Sequence, residues 1–205
     1  MSERIAVVDY RAGNAPSVGF ALRKLGLDHA LVSDAAGIQA ADRLILPGVG
    51  AARATLESLR NDQLLDALSA KVHAGTPFLG ICVGLQVLFE HSQEGDAECL
   101  GWLPGTVVRF SNDQRVPQIG WNEVRFTRAH PLIDSLPTDG AYCYFVNSYH
   151  AAPAHDRVTL GVTDYGGDFA SMVVQNNIAA TQFHAEKSGA IGLRILENFA
   201  RWDGN

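Results

Sequence analysis

One cysteine, one histidine and one glutamate carry the types and spacing of a nucleophile, a proton carrier and an orienting carboxylate. Cys82 lies in Gly80-Ile81-Cys82-Val83-Gly84, where the apolar run Pro77–Cys82 gives way to a helical pattern near Leu85. Glycines two before and two after a nucleophile let the backbone reverse sharply and pack closely, as in the G-x-S-x-G elbow of hydrolases. At the start of a helix the sulfur would meet the positive end of the peptide dipoles and free N–H groups, both of which favour thiolate over thiol. A cysteine taken alone is more often a buried core residue. Here the paired glycines and the strand-to-helix switch argue for the reactive role.

A thiolate that attacks a carbonyl needs a proton carrier, and histidine oriented by a carboxylate is the usual solution. His184 and Glu186 stand in Gln182-Phe183-His184-Ala185-Glu186. With a strand ending at Phe183, a spacing of two returns both side chains to one side. The plain alternative has His184 capping a strand and Glu186 opening a helix. A tetrahedral intermediate also needs fixed N–H donors. The turn Pro47-Gly48-Val49-Gly50 and the amide of Val83 offer them, although P-G-x-G also serves as an ordinary strand-to-helix connection. It matches neither a dinucleotide fingerprint nor a phosphate loop. The other histidines show no metal-ligand spacing, so no metal is expected; His150, near Ser148 and Tyr149, is a weaker second candidate for the site.

The elements that must hold these residues are legible as period and punctuation. Arg4–Asp9, His29–Val32, Arg43–Leu46 and Pro77–Cys82 read as strands, with helical patterns between them. In the longest of these patterns Leu56, Leu59, Leu68 and Val72 keep roughly helical spacing, and Gly75 followed by Pro77 stops it. The alternation predicts an α/β fold with a mostly parallel central sheet flanked by helices. From Gly105 to Phe183 short strand-like runs follow one another, predicting additional antiparallel strands in the second half. Ser188–Trp202 returns to helix, with Ile191, Ile195 and Phe199 on one face.

At 205 residues, 47% hydrophobic and 19% charged, the chain reads as one domain, 1–205. A net charge of −6 with both signs dispersed gives no basic surface for nucleic acid or a membrane. The start is too short in apolar residues for a signal peptide and no stretch is long enough to span a membrane, so a cytoplasmic chain is expected. Cys82, Cys99 and Cys143 are odd in number and far apart, which disfavours a disulfide framework.

Together these segments resemble the class I, or triad, glutamine amidotransferases. The resemblance spans nearly the whole chain. It rests on Asp9-Tyr10, Gly13-Asn14, Pro47-Gly48-Val49-Gly50, Gly80 to Gln86, Pro117-Gln118-Ile119-Gly120-Trp121-Asn122, Tyr144 to Tyr149 and Gln182 to Ser188. It implies that Cys82 attacks the side-chain amide of glutamine, His184 protonates the departing ammonia and then activates water, and Glu186 orients His184. Gln86, Ser148 and Tyr149 would hold the amino-acid end of the substrate. Val49 and Val83 would be the oxyanion donors, the P-G-V-G turn rearranging before its amide points inward.

No cofactor is implied. The P-G-V-G and G-W-N elements point, within the family, to members that form a heterodimer with a (β/α)₈-barrel cyclase of histidine biosynthesis, with Trp121, Asn122, Tyr144 and Lys187 at or near the docking face. Two positions depart from the family pattern: Ala185 where proline is typical, freeing a backbone angle between His184 and Glu186, and Asn147 where histidine is frequent. Rival readings are a paralogous glutaminase serving sugar amination or pyridoxal phosphate synthesis, a Cys–His peptidase or esterase using the same elbow, and a regulatory subunit that has kept the fold without the activity.

Overall fold

Apolar runs of four to six residues, buried along their whole length, form the strands on which the site is built. A computed structural model describes residues 4–11, 14–137 and 141–205; Gly13 lies outside the described residues. In the first half the strands are β1 (Ile5–Val8), β2 (His29–Val32), β3 (Arg43–Gly48) and β4 (Phe78–Cys82), interleaved with helices α1 (Ala15–Lys24), α2 (Ala35–Gln39), α3 (Ala52–Asn61), α4 (Leu65–His73) and α5 (Val83–Gln86). The second half contributes β5 (His91–Ser92), β6 (Ala97–Glu98), β7 (Gly105–Arg109), β8 (Gln118–Phe126), β9 (Ala141–Asn147), β10 (Tyr149–Pro153), β11 (Thr159–Asp164), β12 (Asp168–Gln175), β13 (Ile178–Thr181) and the closing helix α6 (Gly189–Arg201).

The sheet runs β2-β1-β3-β4-β13-β12-β10-β7-β5-β6, with β11 joining β12 to β8 and β8 pairing β9. Its first five strands are mutually parallel, and the pairings that carry β12, β10, β11, β8 and β9 are antiparallel. β1, β3, β4 and β13 are buried at every position, as strands covered on both faces must be. Inserting β13 beside β4 is the decisive step, because it sets the ends of two strands from opposite halves of the chain next to each other. Arg43, 5% exposed, braces this arrangement by donating from Nε to the carbonyls of Phe199 and Trp202 at the end of α6, where helix carbonyls otherwise lack partners.

Two expectations change in detail. The long helical pattern is two helices, because the chain turns at Gln63 with φ 57° and Leu64 tucks into the core. The helix after Cys82 starts at Val83, not near Leu85, and is four residues long. Its summed dipole is correspondingly small, so the local N–H groups rather than a helix-long field are what Cys82 meets.

Candidate active site

Cys82 closes β4 with φ 56° and ψ −105°, a backbone region that costs a residue with a β-carbon about 1–3 kcal/mol. The surroundings hold it there. A β-carbon on Gly80 would lie 2.3 Å from the carbonyl oxygen of Gly84, and one on Gly84 would lie 2.0 Å from that of Leu46. Both flanking glycines are thus required by close backbone approach. Gly48 is equally confined, 2.8 Å from the Val83 side chain and 3.0 Å from the Tyr10 hydroxyl if given a β-carbon. It supports the elbow from beneath and does not line the pocket above it. Cys82 itself is 4% exposed.

From the next parallel strand, β13, the chain delivers His184 and Glu186. The strand ends at Thr181, and residues Ala185–Lys187 form a single 3₁₀ turn. The two side chains therefore meet through a turn rather than through strand alternation, with His184 Nδ1 2.8 Å from Glu186 Oε1. Asn14, at the start of α1, donates a very short hydrogen bond to the same oxygen of Glu186. The turn is tied down by backbone contacts. His184 N–H donates to the Tyr144 carbonyl at 3.0 Å, Tyr144 N–H donates to Ser188 Oγ at 3.0 Å, and Ser188 Oγ donates to the His184 carbonyl at 2.7 Å. Gly192 lets α6 close on it, since a β-carbon there would strike the Ala185 carbonyl at 1.8 Å.

Ala185 is fully buried as the first residue of this turn, where an N–H has no partner within the turn in any case. The His184–Glu186 contact closes without proline, so the freed backbone angle expected at Ala185 does not open the pair. Burial disfavours the imidazolium of His184. Hydrogen bonds and charge from Cys82 and Glu186 outweigh that effect and raise its pKa to about 9. The protonated ring is held between a sulfur and a carboxylate, the arrangement in which the imidazolium carries the proton that a leaving group will need.

Above the sulfur opens a pocket of about 340 Å³ lined by Val49, Gly50, Cys82, Val83, Gln86, Glu94, Pro117, Val146, Asn147, Ser148, Tyr149, His184 and Lys187. Every residue expected at the substrate end is present, Gly48 excepted. Val83 N–H is the first of α5 and adjoins the sulfur. Burial raises the pKa of the Tyr10 hydroxyl, with the nearby Val49 amide acting to lower it; for that amide to serve an oxyanion the P-G-V-G turn would have to rotate. Glu94 has no signature in the sequence, being one glutamate in a polar turn, yet it is the pocket's own carboxylate. Burial pushes its pKa up, against a hydrogen bond from the Ala52 amide. His150 stands apart from this chemistry, packed against Phe110 and Phe169, and burial lowers its pKa. Among the described residues no cluster of three His, Cys, Asp or Glu could hold a metal, and no helix is long and apolar enough to cross a membrane.

Beside the pocket, β8 and β9 present one exposed face. Ile119 pairs with Val146 and Trp121 with Tyr144; Ile119, Trp121 and Tyr142 are more than half exposed. Lys187 is exposed at its edge. Asn122 departs from the expectation that groups it with Trp121. By strand alternation it lies on the opposite face, half-buried, accepting a hydrogen bond from the buried Gln118 at 2.9 Å.

An elbow cysteine at the end of a parallel strand, with a His–Glu pair in the turn that follows the adjoining strand, brings together the groups that thiol-dependent acyl transfer uses. The chain belongs to the class-I glutamine amidotransferase family, whose description matches residues 6–202. It is 46% identical over 196 residues to "Imidazole glycerol phosphate synthase subunit HisH" of Dehalococcoides mccartyi (strain CBDB1), with 95% of both chains covered. To the protein of the same name from Chloroflexus aurantiacus it is 46% identical over 203 residues, covering 97% of this chain and 95% of that one. Among solved structures, one titled "Crystal structure of glutamine amidotransferase" superposes with a TM-score of 0.77 at 20% identity, covering 98% of this chain and 99% of the other. PurLQS from Thermotoga maritima gives 0.75 at 16% identity, with 98% and 99% covered. These two establish the likeness of fold.

Proposed function

We propose that this chain is the glutaminase subunit of an imidazole glycerol phosphate synthase, hydrolysing glutamine at Cys82 and handing ammonia to a separate (β/α)₈-barrel cyclase subunit in histidine biosynthesis. The observation that carries the reading is the convergence of Cys82 with the His184–Glu186 pair at the floor of one pocket. With the proton already on His184, the Cys82 sulfur bonds to the side-chain carbonyl carbon of glutamine. Charge gathers on the carbonyl oxygen opposite the Val83 amide, joined by Val49 once the turn rotates. His184 then protonates the amide nitrogen, the C–N bond breaks and ammonia leaves a thioester. Water, giving its proton to His184, attacks the thioester; the C–S bond breaks, glutamate leaves and the thiolate is restored. Glu186 keeps the imidazole in register throughout.

Gln86, Ser148 and Tyr149 face the amino-acid end of the substrate, and Glu94 supplies the charge that an α-ammonium needs. Glu94→Gln keeps the shape and removes the charge. Its KM for glutamine is expected to rise about tenfold to a hundredfold with kcat little changed, because a charged partner in a partly dry pocket contributes about 1.5–3 kcal/mol to binding. Steady-state kinetics with glutamine check this.

The pH profile follows from His184. It is protonated below about 9 and neutral above, so kcat/KM for glutamine falls as pH rises through that value, when the acid for the departing ammonia is lost. An alkaline limb absent up to the point of unfolding would contradict the assignment.

Ammonia released into neutral water becomes mostly ammonium, which is no nucleophile, so a direct hand-over to an acceptor is favoured. The exposed face of Ile119, Trp121, Tyr142, Tyr144 and Val146 beside Lys187 has the aromatic character of a docking surface. Tyr144 joins that face to the site, since its backbone holds the His184 turn at both its carbonyl and its N–H. Glutamate release measured with and without the purified cyclase and its acceptor ligand tests the reading. Release that rises on adding both supports it, and release indifferent to them overturns the partner.

A further inference from the structure

We infer that Gln182, a residue with no role in the steps above, is a thiolate-stabilising group of this site: its amide N–H donates to Cys82 Sγ and is aimed there by Gln86. The inference rests on Cys82 being the nucleophile. Gln182 is fully buried and its Nε2 lies 3.8 Å from Cys82 Sγ, within reach of a hydrogen bond to sulfur.

Which end of an amide faces the sulfur is normally ambiguous, and here the chain of contacts decides it. The Tyr149 carbonyl oxygen can only accept. The end of Gln86 that approaches it at 3.0 Å must therefore be the NH₂ group. That same Nε2 also donates to Gln182 at 3.3 Å, so the atom it meets must be Oε1. With its oxygen engaged, Gln182 has only its NH₂ end to turn to Cys82. Asn147 fixes the origin of the relay, donating from Nδ2 to the Tyr149 carbonyl at 3.1 Å.

The consequence for the sulfur is one of charge. A fixed N–H donor asks Cys82 to accept, which the thiolate does far better than the thiol, while the thiol proton has His184 to go to. A buried strand-end glutamine placed only for packing would impose no such preference. Gln86 lines the substrate pocket and orients Gln182, so the group that meets glutamine and the group that meets the nucleophile belong to one rigid amide pair.

Alkylation of the full chain by iodoacetamide, resolved by site with mass spectrometry from about pH 5 to pH 10, reads the thiolate directly. Cys99 and Cys143 serve as internal references, since burial pushes their pKa values up to about 11 and about 12. Gln182→Met keeps the side-chain length and removes the donor. At neutral pH its Cys82 is expected to alkylate about tenfold more slowly than in the wild type, converging with it at alkaline pH, the scale of one hydrogen bond to a charged group. Gln86→Met, which leaves Gln182 unaimed, shifts the profile the same way by less, and carries the test if Gln182→Met does not fold. Folded Gln182→Met with the wild-type profile, even at a lowered melting temperature, would overturn the inference alone. A wild-type Cys82 that iodoacetamide does not modify overturns the proposed function with it.

Discussion

Cys82→Ala loses glutamate release by at least roughly a thousandfold, with the cyclase and its acceptor ligand present, while remaining folded. Alanine keeps the β-carbon, so the backbone at φ 56° is no more strained than before, and what is lost is one sulfur atom at a pocket floor. The residual rate of a site without its nucleophile comes from binding and oxyanion donors alone, which in comparable hydrolases leaves it orders of magnitude below the intact enzyme. The measurement is glutamate production by wild type and variant across the same cyclase titration, with thermal unfolding recorded on both. Full activity in the variant would remove Cys82 from the chemistry and with it the reading of the whole site. A variant that binds the cyclase as wild type does, yet releases nothing, separates the nucleophile from the docking face.

Gly84→Ala is expected to be the most damaging single-atom addition in the elbow. Its β-carbon would sit 2.0 Å from the Leu46 carbonyl oxygen, and that carbonyl belongs to β3, hydrogen-bonded between β1 and β4. Neither side can retreat without breaking a parallel ladder, so a cost of at least about 3 kcal/mol is expected from overpacking against fixed backbone. Gly50→Ala is the control. It has φ +87° and open space around it, so it carries only the conformational cost of about 1–2 kcal/mol. Denaturant unfolding of the two variants ranks them. Equal or reversed losses would mean that the elbow is not held by contact between Gly84 and β3.

Much of this was legible from the chain because it is local. The nucleophile elbow is a statement about consecutive residues, with glycines where a β-carbon cannot go and an apolar strand that stops at the thiol. His-x-Glu is likewise local, although the geometry that brings Nδ1 to Oε1 is a 3₁₀ turn and not the strand edge its spacing implied. Where local pattern misled, backbone conformation was the cause. Leu56, Leu59, Leu68 and Val72 keep helical spacing across a break, because both helices bury the same kind of face and only Gln63, in a left-handed conformation, records the turn.

Composition and period by themselves determined the α/β class, the parallel first half and the antiparallel second half around Cys82, His184 and Glu186, the residues whose local motifs propose them as nucleophile, proton carrier and carboxylate. Each follows from which residues can be buried and how a chain of that period must run. Tertiary structure alone decided what surrounds them. The order β4-β13 carries His184 to Cys82, α1 brings Asn14 to Glu186 across 172 residues, and Gln182 meets the sulfur from 100 residues away. Glu94 enters the pocket, and Asn122 turns away from Trp121. A polar side chain in a loop or at a strand end carries no periodic signal, and its partner is set by sheet order and strand register, which depend on the packing of the whole core.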